Sequence, residues 1–184
     1  GVHIYMSSDV REWRPKDDFS NVHLKEISVE DLLPRQQIQV NMVEIGKMLF
    51  GKKVMITGDA GSIGSEMVDQ IAKFKPSNLI LIDQAETPQH DIRLKMRDYP
   101  ELKVETIVVS ITQADRMEHI FKTYRPDYVF HAAAYKHVPM MEDNPSEAIL
   151  NNGLGTKMRA DLSVKYGVKK FVMISTDKAV NTTN

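Results

Sequence analysis

From Lys52 onward, short continuous apolar runs alternate with stretches of helical spacing. The runs fall at residues 54–56, 79–82, 104–109, 128–130 and 171–174. Continuous runs, rather than strictly alternating ones, predict strands buried on both faces of a parallel sheet. Between them, Ile63, Met67, Ile71 and Phe74 recur at helical spacing and predict one apolar helix face. Thr112-x-x-Asp115 predicts the cap of a second helix carrying Met117, Ile120 and Phe121. Asn144-Pro-Ser-Glu147 predicts a third, with Asn144 as cap, Pro145 at the first helical position and Glu147 reaching back. That helix is expected to run to Tyr166 and stop at Gly167. Five strands with intervening helices predict a doubly wound α/β parallel sheet with right-handed crossovers, truncated after its fifth strand.

Residues 1–50 lack this rhythm and read as an irregular, mostly polar N-terminal segment. Residues 2–6 could make a short strand, and 9–21, charged and holding Pro15, read as a loop. Ser28-Val-Glu-Asp31 has capping-box spacing and predicts a short helix through Leu33, stopped by Pro34. Ile45, Met48 and Leu49 share one helical face, with Gly51 as the cap beyond it. The chain shows no internal repeat and no low-complexity tract.

Composition narrows the function classes. The 184 residues are 42% hydrophobic and 27% charged, enough for a real core and unlike a disordered chain. Twenty-four Lys and Arg against 25 Asp and Glu leave a net charge of -1, without the basic excess of a phosphate-neutralising nucleic-acid binder. No apolar run reaches the ~18 residues needed to cross a bilayer. The first residues show no charged head followed by an apolar stretch, as a signal peptide would. Without cysteine there are no disulfides, thiolate nucleophiles or cysteine zinc sites. The histidines lack HExxH-type spacing, so no metal site is expected.

The most informative stretch is Thr57-Gly-Asp-Ala-Gly-Ser-Ile-Gly-Ser65, which follows a predicted strand and opens a predicted helix. A dinucleotide needs that arrangement. Gly58 allows a tight turn, Gly61 lets backbone N–H groups approach the pyrophosphate, and Gly64 lets helix and sheet pack closely. The N-terminus at Ser62 and Ile63 then faces the negative charge. The next apolar run ends at Asp83, where a carboxylate can accept hydrogen bonds from the adenosine ribose. It would repel a 2′-phosphate, which favours NAD over NADP. Ala132, Ala133 and Ala134 follow the fourth strand and either leave room for ribose and nicotinamide or simply pack a loop. Thr176-Asp-Lys178, after the fifth strand, reads either as an acid–base pair near the cofactor or as a structural Asp–Lys pair.

Several blocks, in order, resemble the nucleotide-sugar 4,6-dehydratases of bacterial polysaccharide biosynthesis, which are extended short-chain dehydrogenase/reductases. They are Thr57-Gly-x-x-Gly-Ser-Ile-Gly-Ser-Glu66, His131-Ala-Ala-Ala-Tyr-Lys-His-Val-Pro139, Met141-Glu-Asp-Asn-Pro145, Asn151-Asn-x-x-Gly-Thr156 and Ile174-Ser-Thr-Asp-Lys-Ala-Val-Asn181. The membrane-anchored UDP-N-acetylglucosamine 4,6-dehydratases are the group most resembled, and Ile27-x-x-Glu-Asp-Leu-Leu-x-Arg35 looks like their linker. The resemblance implies residues 1–50 as linker and tail of an upstream domain, and 51–184 as an NAD(P)-binding Rossmann domain, incomplete at its C-terminus.

It also implies a mechanism. Hydride leaves sugar C4 for a tightly held NAD (or NADP), water is lost across C5 and C6, and the hydride returns to C6. By position, Asp177 would protonate the departing C6 hydroxyl, Lys178 would take the C5 proton, and Thr176 would bond the 4-hydroxyl. Lys136, His137, Met140 and Glu142 would line the UDP-sugar, while Ser110, Ile111 and Ser175 would border the cofactor. The implied setting is a homo-oligomeric parent protein at the cytoplasmic face of the bacterial inner membrane, with this piece soluble and inactive alone. A UDP-sugar epimerase or C5-inverting dehydratase on the same fold, and a non-catalytic dinucleotide-binding module, are the alternatives.

The chain departs from the family at several points. Gly58-Asp-Ala-Gly61 replaces Gly-Ala-Gly-Gly, and Asp59 would weaken pyrophosphate binding if it pointed inward. Ser110 stands where an acid usually contacts adenine, and Thr182 replaces a proline. The lysine segment expected directly after Asn184 lies outside this sequence.

Overall fold

The computed structural model describes residues 5–7, 24–26 and 40–175. The chain divides into two units, Gly1–Val40 and Asn41–Asn184. In the first, β1 (Tyr5–Ser7) pairs antiparallel with β2 (Leu24–Glu26), Tyr5 opposite Glu26. The expected strand at 2–6 overlaps β1; the loop at 9–21 and the helix near 28–33 lie outside the described residues.

The second unit opens with α1 (Met42–Leu49), whose Leu49 is 1% exposed in the core. Residues 42–49, assigned to the irregular segment from sequence, therefore belong to the α/β unit. Then follow β3 (Lys53–Thr57), α2 (Ser62–Ala72), β4 (Asn78–Asp83), α3 (Glu86–Lys95), β5 (Val104–Val108), α4 (Ala114–Tyr124) and β6 (Tyr128–His131). After β6 come α5 (Val138–Asp143), α6 (Pro145–Ala148), a π-helical stretch (Ile149–Gly155), α7 (Thr156–Lys165) and β7 (Lys170–Met173). The strands form one parallel sheet in the order β5-β4-β3-β6-β7.

Successive residues of a strand point to opposite faces, so the sheet carries two cores. Val54, Ile56, Leu79 and Leu81 pack with α1, α2 and α3 through Leu49, Val68, Ile71 and Ile92. Met55, Ile80, Ile82 and Val129 pack on the other face against Met117, Ile120 and Phe121 of α4. Helices on both faces are what buries the continuous apolar runs.

Four local expectations are corrected. The buried stripe of α2 is Gly64, Val68, Ile71 and Ala72, which leaves Ile63 exposed at the mouth of the turn. Thr112 does not cap α4; Gln113 holds the cap position without a side-chain bond, and Thr112 pairs with Ser110. Asn144 does not cap α6 with its side chain either, because its Nδ2 donates to the Met140 carbonyl at 2.9 Å. The single helix expected to Tyr166 contains a π-helical insert before α7. The polar helix α3, with only Gln89 and Ile92 buried, carried too weak an apolar stripe to be singled out from sequence.

Candidate functional site

The glycine turn sits where β3 and β6 lie side by side and the chain crosses in opposite directions, the point at which an open α/β sheet forms a crevice. Gly58 has φ +79, and a Cβ there would stand 2.5 Å from the Ala133 nitrogen. Its N–H donates to the Ile82 carbonyl at 2.8 Å, locking the turn to the end of β4. A Cβ on Gly64 would meet the Gly58 carbonyl oxygen at 1.9 Å, so α2 can approach the turn only through glycine. Gly61 precedes α2 in extended conformation, and no side chain caps the helix. The amides at Ser62 and Ile63 therefore stand at a helix start built for an anion.

Asp83 closes the other side. Its Oδ1 accepts the Ala85 N–H at 2.8 Å, and its Oδ2 accepts the Ala60 N–H at 3.2 Å. A small cavity of about 130 Å³ lies between Asp83, the glycine turn and Ala132–Ala134, walled by Val109 and Ile111. A larger one, of about 1250 Å³, runs from Gly61–Gly64 along Lys136, His137, Met141 and Glu142 to Ser175. The two share Gly61 and residues 132–135, and so lie end to end across the turn. This donor set fits a dinucleotide: amides for the pyrophosphate, a carboxylate for ribose hydroxyls and small residues where rings must pass.

Most residues expected from sequence stand on this surface. Gly58, Gly61, Asp83, Ile111 and the three alanines line the small cavity; Ser62, Ile63, Gly64, Lys136, His137, Glu142 and Ser175 line the large one. Ser110 and Met140 do not. The Ser110 hydroxyl is turned onto Thr112, 2.9 Å away, and receives the Thr112 N–H. Met140 is exposed on α5, while its neighbour Met141 faces the cavity. Asp59 does not point toward the pyrophosphate position: it is fully buried and lines neither cavity. Thr176, Asp177 and Lys178 lie outside the described residues.

Behind the loop at 131–135 stands a brace that sequence reading did not assign. Asn152 accepts the Tyr135 N–H at 2.8 Å and donates back to the Tyr135 carbonyl at 2.9 Å. Gln84 donates to the Tyr135 hydroxyl at 3.0 Å, joining the rims of the crevice. The paired asparagines of Asn151-Asn-x-x-Gly-Thr156 were the available signal. His131 is buried, its Nδ1 2.6 Å from the Thr57 hydroxyl and its Nε2 2.9 Å from that of Thr156. Burial, with the nearby Arg159 charge, lowers its pKa to about 4 and keeps it neutral. Arg159 is itself fully buried, donates Nη1 to the Ile111 carbonyl, and has its pKa lowered to about 10 by that burial.

Residues 54–184 match a protein family described as polysaccharide biosynthesis protein. Capsular polysaccharide biosynthesis protein CapD of Staphylococcus aureus is 42% identical over 164 residues, covering 88% of this chain and 27% of CapD. A UDP-N-acetylglucosamine 4,6-dehydratase (inverting) of Campylobacter jejuni is 32% identical over 138 residues, covering 74% of this chain and 40% of that enzyme. Among solved structures, Bordetella bronchiseptica WbmG in complex with NAD and UDP aligns with a TM-score of 0.57 at 27% identity, over 68% of this chain and 38% of that one. UDP-glucose 4-epimerases match as well. The chain thus spans well under half the length of each of these relatives.

Proposed function

The chain belongs to the polysaccharide biosynthesis protein family, and from that premise we propose that it forms the cofactor-binding part of a UDP-sugar 4,6-dehydratase acting on UDP-N-acetylglucosamine. The observation that carries this reading is the continuity of the large cavity. It runs from the phosphate turn past Lys136, His137 and Glu142 to Ser175, the residue directly before Thr176-Asp-Lys178.

The amides at Ser62 and Ile63 would hold the pyrophosphate of NAD, and Asp83 its adenosine ribose. Val109 and Ile111 would wall the adenine, and Ala132–Ala134 would leave space for the second ribose. NAD bound there supplies a hydride acceptor that is restored within the same cycle. The chain's own side chains do the proton work. Thr176 bonds the 4-hydroxyl of the sugar, Lys178 removes the C5 proton, and Asp177 protonates the C6 hydroxyl as it departs. An acid beside a base at a strand's carboxyl end suits an elimination better than a simple alcohol oxidation. Lys136 and His137 contribute donors for the nucleotide sugar from the cavity wall. We place the complete protein, as a homo-oligomer, at the cytoplasmic face of the bacterial inner membrane, in keeping with the linker resemblance at residues 27–35.

Mass spectrometry of UDP-N-acetylglucosamine incubated with the complete protein tests the reading. Loss of one water is expected. An unchanged mass with a changed sugar configuration would assign an epimerase instead, and an unaltered sugar with NAD bound would assign a binding module.

A further inference from the structure

The wall of the small cavity is held from behind by a buried cation. Val109 and Ile111 line that cavity and are each 4% exposed. The sheet fixes Val109, whose N–H donates to the Asp83 carbonyl at 2.9 Å. Ile111 lies beyond β5, in the turn that leads to α4. Within that turn the Gln113 N–H donates to the Ser110 carbonyl at 3.1 Å, and the Thr112 N–H to the Ser110 hydroxyl at 3.3 Å. These bonds close the turn on itself. Arg159 of α7 ties it to another element by donating Nη1 to the Ile111 carbonyl. One helical turn before Arg159, Gly155 gives the Ile111 side chain its seat: a Cβ there would stand 2.9 Å from the Ile111 δ-methyl.

This arrangement is costly for the fold. Arg159 is 0% exposed and lines neither cavity. Among the described residues, its Nε and Nη2 have no hydrogen-bond partner and no carboxylate pairs with it. Its pKa, lowered by burial to about 10, still leaves it a cation at neutral pH. A buried charge with one acceptor costs stability that an apolar side chain of similar length would not. Core packing alone therefore does not account for an arginine here. What the cation supplies is a charge-assisted bond, stronger than a neutral donor would make, to a carbonyl drawn away from the cavity.

We propose that Arg159 is a positioning residue for the adenosine end of the cofactor: it draws the Ile111 carbonyl behind the wall and so holds the Ile111 side chain as the apolar surface against which the base lies. The inference rests on the reading of this crevice as a dinucleotide site and gives α7 a part in it. Released from Arg159, the turn would sample other positions, and affinity would fall with the fraction of time that the wall is in place. The freed carbonyl could also turn a polar oxygen toward the base.

Arg159→Met keeps the length of the side chain and removes its donors and charge. In the complete protein, titration calorimetry with NAD and with AMP would be set beside thermal melts without ligand and the carbon-13 resonance of the Ile111 δ-methyl. AMP should shift that resonance in the wild type through the ring current of the base. Arg159→Met should bind NAD and AMP each about tenfold more weakly. Its melting temperature should be unchanged or raised, because a buried charge has gone. Gly155→Ala presses on the Ile111 side chain and leaves Arg159 in place, so it probes the wall even if Arg159→Met fails to fold; it too should weaken both ligands. An unchanged AMP affinity in Arg159→Met, or an Ile111 resonance that AMP does not move, would overturn the proposal. So would a melting temperature that falls together with the affinities, which would make Arg159 a structural residue only. A wild-type protein that binds neither NAD nor AMP would instead remove the dinucleotide reading, and the proposal with it.

Discussion

A single methyl group is the finest probe of this turn. At Gly64 it would overlap the Gly58 carbonyl oxygen, which is backbone and has no rotamer by which to yield. Gly64→Ala should therefore push α2 off the turn, at a cost of about 2 kcal/mol or more in stability, with NAD binding lost in titration calorimetry. Two buried titratable residues pull stability in opposite directions with pH. The Asp59 pKa is raised from 3.8 to about 7, so its contribution is fully present below about 4 and is lost as pH rises through 7. The His131 pKa is lowered from 6.5 to about 4, so its contribution is present above 6.5 and is lost as pH falls through 4. Between these limits the slopes oppose each other. Asp59→Asn removes one of them, and its stability relative to wild type should grow from about pH 4 to about pH 7 and then level off. Denaturant melts at a series of pH values would check this; a constant difference would mean that Asp59 is ionised throughout.

At the scale of elements, the site is a set of strand ends held in register by groups from the opposite layer. The loop after β6 has no regular structure of its own, and Asn152 in the π-helical stretch satisfies both the N–H and the carbonyl of Tyr135. Asn152→Ala removes both bonds and frees that loop. About 1 kcal/mol for each lost bond predicts a lower melting temperature and NAD binding weakened several-fold. An unchanged affinity would show that the loop keeps its shape by packing alone. Helix α4 buries the Met117, Ile120 and Phe121 face that its apolar spacing required, whereas the caps expected of Thr112 before α4 and of Asn144 before α6 did not form. Capping residues compete for nearby partners, and Asn144 and Thr112 found theirs in the Met140 carbonyl and the Ser110 hydroxyl.

Across the whole molecule, the parallel sheet brings the phosphate turn, the β4 carboxylate and the exit of β7 to one edge. The proposed chemistry then divides between sites that can be removed separately. Asp177→Asn and Lys178→Ala should each cut water loss from UDP-N-acetylglucosamine by a factor of about 100 or more while leaving NAD affinity unchanged. A loss of NAD binding in either variant would make the pair structural, the other reading that the residues allow.

The sequence by itself determined the architecture and the place of the cofactor turn. Both are written in short-range terms: continuous apolar runs, helical spacing, and glycines whose missing Cβ is required wherever they sit. It also put Asp83 at the end of the strand after the turn, where the structure has it lining the small cavity, because a strand end after such a turn has one position to offer. Only the tertiary structure decided which polar groups were taken out of water. Gln89 of α3 is buried against the Leu81 carbonyl of β4, Asn152 braces a loop 17 residues earlier, and His131 meets Thr57 across 74 residues. Arg159, not singled out from sequence, is fully buried. Burial and its electrostatic consequences depend on what the rest of the chain places opposite a residue, and no local pattern records that.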